Sequence, residues 1–259
     1  RLSLVGSEMC IRDRKYFLSF CLIFSALGIN AQEVEGYEPN RGEYYIAKFK
    51  PGKDMSDMMK YVDTWSKWAK KSSVFEDYRA NIHVPYFHDQ HLMHDLVWYG
   101  RAPNAEAHFA ILDEWVNNGQ KIAAQLPVDV SQVIEVWQRD VSRPEGSVDG
   151  ASYVIFQDCK LNEGVTSQQV YDAYFKFAEA AKKLGDNLGR KMMWPISGHG
   201  EWDYDFVVVM YANSLKEYGK NNQLYWDKVN GIEEQKALAE VGYECSNRRT
   251  YSSTQIFGY

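Results

Sequence analysis

The sequence predicts an α+β protein of two tandem units, each ordered strand, helix, strand, strand, helix, strand, with the two sheets packed against each other. Three observations carry this. Segments of the first half recur in the same order in the second, at an offset of about 109 positions. Each half opens with a short aromatic and β-branched run followed by a stretch of helical apolar spacing. A run rich in Gly, Pro, Ser and charge, Val141–Gly150, separates the halves.

The first strands are Tyr44–Phe49 and Tyr153–Gln157. A helix follows in each half. Met55, Met58, Val62, Trp65 and Ala69 make one apolar stripe in the first, and Thr166 with Gln169 forms a capping box ahead of Val170, Tyr174 and Phe177 in the second. Here the repeat is clearest: "VDTWSKWA" from Val62 lies over "YDAYFKFA" from Tyr171. Extended pairs come next, Arg79–Val84 with Leu96–Tyr99 and Arg190–Trp194 with Phe206–Tyr211. Across them "HVPYF" from His83 lies over "MWPIS" from Met193, and "HDLVWYGRAPN" from His94 over "YDFVVVMYANS" from Tyr204. Second helices are expected over Ala105–Asn117 and Leu215–Lys228, and closing strands over Val130–Trp137 and Arg249–Ile256. This is the ferredoxin-like, βαββαβ order. Each unit covers one sheet face with its own helices. The other face needs a cover, because Ile46, Ile82, Val97 and Val207 cannot all face water.

The order and the duplication, over about Glu43–Tyr259, resemble the dimeric α+β barrel superfamily in single-chain tandem form. That group includes NIPSNAP-like proteins, stress-responsive barrel proteins and small cofactor-free monooxygenases. The resemblance implies a pocket between the two sheets. Some members oxidise polyketides and some bind or degrade haem. No catalytic motif of such a family is present to carry a role over residue by residue.

Composition narrows the class of function. The 259 residues carry a net charge of −6 and no basic stripe, which argues against a nucleic-acid binder. Residues 1–14, "RLSLVGSEMCIRDR", resemble a translated sequencing adapter and are set outside the fold. Residues 15–31 have a basic start, an apolar run and a small-residue end at Ala31, the grammar of a secretory signal peptide. An exported, periplasmic or extracellular chain is expected, with no membrane contact after cleavage. Residues 32–42 are then an N-terminal arm, 43–140 the first unit, 141–151 the linker and 152–259 the second unit. Two cysteines remain, Cys159 just past the first strand of the second unit and Cys245 just before its last. Those strands are antiparallel neighbours in a ferredoxin-like sheet, so a disulfide is expected.

Two places compete as the functional site. The stretch "HDQHLMHD" sets His88, His91 and His94 three apart, with His83 and His199 elsewhere. It lacks the general-base Glu of HExxH, and the second copy keeps only His199, so it reads as a solvated loop able at most to hold a weak transition metal. The space between the sheets is the stronger place. Period-two alternation puts Tyr44, Ile46 and Lys48 on one face and aligns them with Tyr153, Ile155 and Gln157; Val133, Glu135 and Trp137 alternate likewise, as do Arg249, Tyr251 and Ser253. Tyr44, Lys48, Trp137, Tyr153, Gln157, Arg249 and Tyr251 are therefore the candidate ligand-binding residues. The expected function is binding, and in the enzymatic case monooxygenase-like or isomerase-like turnover, of a small apolar or aromatic molecule. The competing readings are a non-catalytic interaction or structural module, and a haem or metal binder using one of the five histidines named above. No cofactor is expected on the first reading. Intramolecular pairing implies a monomer, with further oligomerisation left open.

Overall fold

The computed structural model describes residues 36–88, 92–146 and 152–258. In chain order these form β1 (Asn40–Phe49), α1 (Met55–Ala69), β2 (Arg79–Pro85), β3 (Leu96–Ala102), α2 (Ala105–Asn118), the short α3 (Gln120–Ala123), β4 (Val128–Ser142), β5 (Ser152–Leu161), α4 (Ser167–Lys183), β6 (Gly189–Ser197), β7 (Phe206–Ala212), α5 (Leu215–Leu224), α6 (Glu233–Glu240) and β8 (Tyr243–Phe257). The strands close into one antiparallel barrel, ordered β1-β3-β2-β8-β5-β7-β6-β4.

Local chemistry explains where the helices begin. Asp54 accepts the backbone N–H groups of Ser56 and Asp57 at the start of α1, Asn104 accepts that of Ala107 in α2, and Ser214 that of Glu217 in α5. The capping box at Thr166 and Gln169 is present at α4. The buried stripe of α1 is Met58, Tyr61, Val62, Trp65 and Ala69. The helix expected over Leu215–Lys228 instead splits: α5 ends at Leu224 and one wider π turn, Tyr225–Val229, follows.

Each half has one strand order, β4-β1-β3-β2 in the first and β8-β5-β7-β6 in the second. The two sheets are joined at their edges, β2 to β8 and β4 to β6, both antiparallel. This accounts for a difference from expectation. β4 and β8 are each 15 residues long, and β4 reaches Ser142, so the expected linker over 141–151 starts inside a strand. The extra length carries each strand from its own sheet onto the other. β4 pairs with β1 over Val128–Gln138 and with β6 over Glu135–Ser142. Edge strands with unpaired backbone groups are avoided by full closure.

Three apolar clusters follow. One lies under α1 and α2 around Trp65, Phe75 and Tyr78; one lies under α4 and α6 around Tyr171, Phe177 and Phe206; and the third fills the barrel around Tyr44, Val136, Phe156 and Val207. Both faces of every sheet are thus covered. Beneath the second helical layer, Arg190 makes a buried two-point contact with Asp186, Nη1 to Oδ1 at 2.7 Å and Nη2 to Oδ2 at 3.0 Å, which fixes the entry to β6. Gly189, opposite Tyr211, leaves room for that tyrosine ring to lie over the strand.

Cys159 and Cys245 are directly paired across β5 and β8 and form a disulfide, with a sequence separation of 86. In the chain-entropy model a loop of this order stabilises the fold by about 4 kcal/mol. Replacing both cysteines by Ala should lower the unfolding free energy by about that amount, measured by denaturant titration. A denaturation midpoint unmoved by the double substitution would show that the bond does not constrain the unfolded chain.

Candidate functional site

With the helices outside, alternate residues of every strand point inward. On β1 these are Tyr44 and Ile46, on β2 Arg79, Asn81 and His83, on β5 Val154, Phe156 and Asp158, and on β8 Arg249 and Tyr251. They enclose two chambers at opposite ends of the barrel. Tyr44, His83 and Phe156 border both and form the wall between them. The wall is closely packed. The His83 ring stacks on Tyr99 with centroids 5.5 Å apart and planes 19° apart, and meets Phe156 at 5.9 Å and Tyr251 at 6.1 Å. Tyr44 stacks on Tyr99 at 4.7 Å, and its hydroxyl donates to the sulfur of Met193 at 3.0 Å.

The chamber of about 540 Å³ lies at the β1 C-terminal end and is lined at its rim by Asp158, Glu201, Asp203 and Arg249, with Asp203 paired to Lys160. Arg249 grips Asp158 through two hydrogen bonds, Nη2 to Oδ1 at 2.6 Å and Nη1 to Oδ2 at 2.7 Å, and Asn247 donates to the same carboxylate at 2.7 Å. Asn247 has φ of 51°, a left-handed conformation that asparagine tolerates. Trp202 and Tyr204 stack at 5.0 Å on the same rim. His94 lies 3.2 Å from the Tyr251 hydroxyl through Nε2.

The chamber of about 870 Å³ at the other end is basic, lined by Arg79, Arg101, Arg143 and Lys191 against a single carboxylate among the described residues, Asp140. Asp140 is 1% exposed and accepts from Nε of Arg143 at 2.7 Å, with Nζ of Lys191 at 3.9 Å. Lys191 also donates to the Tyr99 hydroxyl at 3.0 Å, which accepts from Gln138 at 2.7 Å as well. Burial, then Asp140, raises the Tyr211 hydroxyl far above its ordinary value, so Tyr211 stays protonated.

The His83 side chain differs from these groups in making no hydrogen bond at all, whereas Asp140 and Gln138 each leave one oxygen without a partner and bond through their other polar atom. His83 is 3% exposed, and neither ring nitrogen has a hydrogen-bond partner. Burial first, and the charge of Lys191 second, push its pKa down to about 3, so the imidazole is neutral at pH 7.

The candidate residues divide. Tyr44, Arg249 and Tyr251 face the interior. Lys48 is exposed and lines neither chamber. Trp137 is on the outer face of β4 against Trp194, centroids 4.8 Å apart, because Ile134, Val136 and Asp140 are the inward set. Tyr153 packs outside against Tyr218 at 4.6 Å, and Gln157 sits between Phe156 and Asp158, the residues that point in. The alignment of Tyr153, Ile155 and Gln157 with the Tyr44 face is thus out of phase by one residue. Both faces of β5 are covered, so apolar alternation does not mark the inner one. His91 lies outside the described residues. His88 is exposed, and His94 is turned to Tyr251, not to a metal cluster. Among the described residues no group of three or more His, Cys, Asp or Glu side chains could hold a metal ion. His199 packs on Trp202 at 5.5 Å. Sequence reasoning missed the set Arg79, Tyr99, Arg101, Asp140 and Lys191. One signal was available: in "RANIHV", Arg79, Asn81 and His83 alternate with Ala80, Ile82 and Val84, a polar face on a strand that must be covered on both sides.

A third, apolar cavity of about 280 Å³ lies between the first sheet and α1 and α2. Its buried carboxyl group, Glu43, accepts from Tyr78 at 2.7 Å and Tyr45 at 2.9 Å, so both carboxyl oxygens have partners.

The architecture is that of a closed eight-stranded antiparallel barrel, clad in helices, with two polar-lined chambers inside. No protein family model matches the chain, and no curated protein matches it. Among solved structures it is similar to a variant of chlorite dismutase from Candidatus Nitrospira defluvii, at 9% identity over 85% of this chain and 92% of that one, with a TM-score of 0.48. It is similar to an anthrone oxidase-like protein at 10% identity, over 87% and 96% of the two chains, with a TM-score of 0.46. It is similar also to a heme-binding protein from Thermus thermophilus at 10% identity, over 85% and 92%, with a TM-score of 0.45.

The state of His83 sets a pH dependence. Its folded pKa lies below its unfolded value of about 6.5, so between those values the unfolded chain binds the extra proton. Its contribution is fully present above about pH 6.5 and is lost as pH falls toward 3, by about 1.4 kcal/mol per pH unit. Other groups titrate there too, so the measurement is the difference between the wild type and His83→Phe. Denaturation at a series of pH values should show a shallower acid limb in the variant, and parallel limbs would refute a buried neutral His83.

Proposed function

We propose that this chain binds a small organic molecule with an aromatic part inside the barrel, against the His83 wall. The unpartnered His83 ring carries the reading. Leaving a buried polar atom without a hydrogen bond costs about 1–3 kcal/mol, and a ligand bearing a hydroxyl or carbonyl group would remove that cost. Aromatic rings to stack on and a few convergent polar groups are what such cavities offer. An interaction module with aromatics as mere filling would leave the chambers and the orphaned imidazole unexplained.

Binding is better supported than turnover by proton abstraction. An imidazole whose pKa is near 3 is a weak base but a serviceable hydrogen-bonding group. Haem is the alternative ligand for a free imidazole. However, Tyr99 lies on the His83 ring, and Tyr44, Phe156 and Tyr251 surround it with centroids within 6.4 Å, so a macrocycle would have to displace them. Either ligand must shift a ring to reach an imidazole nitrogen, and a single hydroxyl or carbonyl group requires a smaller displacement than a macrocycle.

The test is calorimetric titration with 2-naphthol, beside haem addition followed for a Soret band. The wild type should bind naphthol, and His83→Phe should bind it at least about tenfold more weakly, the equivalent of about 1.4 kcal/mol, while unfolding at higher denaturant. A Soret band without naphthol binding would replace this reading with a haem site.

We also infer export, with the two halves as copies of one unit. The common strand order supports the duplication, and the Cys159–Cys245 bond suits an oxidising compartment. Expression of the chain with its residues 15–31 in a bacterial host should give a periplasmic product beginning near Gln32 by intact mass. A cytoplasmic product retaining residues 15–31 would refute export by this route.

A further inference from the structure

The basic chamber contains a juxtaposition that the fold does not need. Arg79 on β2 and Arg101 on β3 are directly opposed in the register, and both side chains line the chamber. Like charges directly opposite across two strands destabilise the pair. The other two cations are compensated, since Arg143 and Lys191 share Asp140. Arg79 donates only to the carbonyl groups of Glu76 and Tyr78, and Arg101 makes no hydrogen bond or ion pair among the described residues. Two half-buried guanidinium groups therefore face a cavity in which, among the described residues, no carboxylate lies between them.

We propose that Arg79 and Arg101 form an anion site, and that the molecule bound in the barrel is an aromatic carboxylate. This rests on the reading that the barrel interior binds a small aromatic molecule, and it names the class. A guanidinium presents paired N–H donors that match a carboxylate, and such bonds are about twice as strong as neutral ones. The spacing suits a ligand of two fused rings. At about 3.3 Å per residue, Arg101 is about 7 Å along β3 from Tyr99, and Arg79 about 13 Å along β2 from His83. A carboxylate at the arginine pair places its rings toward the stacked Tyr99 and His83. The opposite chamber offers no free guanidinium pair, because its Arg249 is already held by Asp158, so the two ends of the barrel also set the ligand's direction.

The experiment compares 6-hydroxynaphthalene-2-carboxylate, which carries a hydroxyl for His83 at the far end of its rings, with its neutral counterpart, 6-(hydroxymethyl)-2-naphthol, by calorimetry on the whole chain. The wild type should prefer the acid by at least about tenfold, or about 1.4 kcal/mol. In the R79Q/R101Q double variant that preference should fall to within about twofold, a difference of about 0.4 kcal/mol. If the double variant does not fold, salt decides on the wild type. Raising NaCl from about 20 mM to about 500 mM should weaken acid binding several-fold and leave alcohol binding nearly constant. A tighter fold in R101Q than in the wild type in anion-free buffer, reversed when the carboxylate is added, would be a further sign of the opposed pair. Equal binding of the two probes, or a preference for the acid that survives R79Q/R101Q or is insensitive to salt, overturns the anion site while leaving the interior pocket in place. Binding of neither probe overturns the pocket itself, and the anion site with it.

Discussion

Everything in this molecule depends on the two seams where one sheet's edge bonds to the other's, β2 to β8 and β4 to β6. Each seam is a row of backbone hydrogen bonds made by strands of unequal length, a short one and a 15-residue one. Because the seams close, the inner faces of both sheets are shut off from bulk water except at the ends. Two loosely apposed sheets would let water reach His83 and the surrounding rings from the sides. The closed barrel confines access to two mouths, and this is what allows the two mouths to differ in charge.

The low dielectric of the interior then sharpens every charge placed there. Asp140 and Lys191 survive burial because each meets an opposite charge or a hydroxyl, with the exposed Arg143 reaching Asp140 from the rim, whereas a lone charge would be expelled or neutralised. His83 shows the other outcome. With no counter-charge and a nearby ammonium group, it gives up its proton and remains as a neutral ring among aromatics. The opposed Arg79 and Arg101 belong to neither case, which is why they define the most unusual electrostatic feature of the protein.

Much of the architecture is legible in the sequence because it rests on local signals. The α1 stripe, the Thr166–Gln169 box and the pairing of Cys159 with Cys245 all follow from spacing within or between single elements. The site is less legible. Tyr44 and Tyr251 lie on the inner face, but Trp137 and Tyr153 lie on the outer one, because helices cover that face and large aromatics suit both sides. The cluster "HDQHLMHD" draws attention by composition, yet the histidine that the fold sets apart is His83, a single buried residue surrounded by rings and without a hydrogen-bond partner. That circumstance is created by strands far apart in the chain. The full lengths of β4 and β8 are likewise hidden in the sequence, since their outer portions pair with the other half and carry no marker within their own half.

Closure has a kinetic side. Asn81 on β2 and Ser253 on β8 meet across a separation of 172 residues, so this seam cannot form until nearly the whole barrel sequence is available. At typical synthesis rates that interval is about 10–30 s, during which a completed first half would expose two unsatisfied strand edges and an apolar sheet face. Contacts of such long range are also slow to form once the chain is complete. The nascent first half is therefore a natural client for holding chaperones, and its vulnerability to aggregation is greatest before the second half exists to seal it.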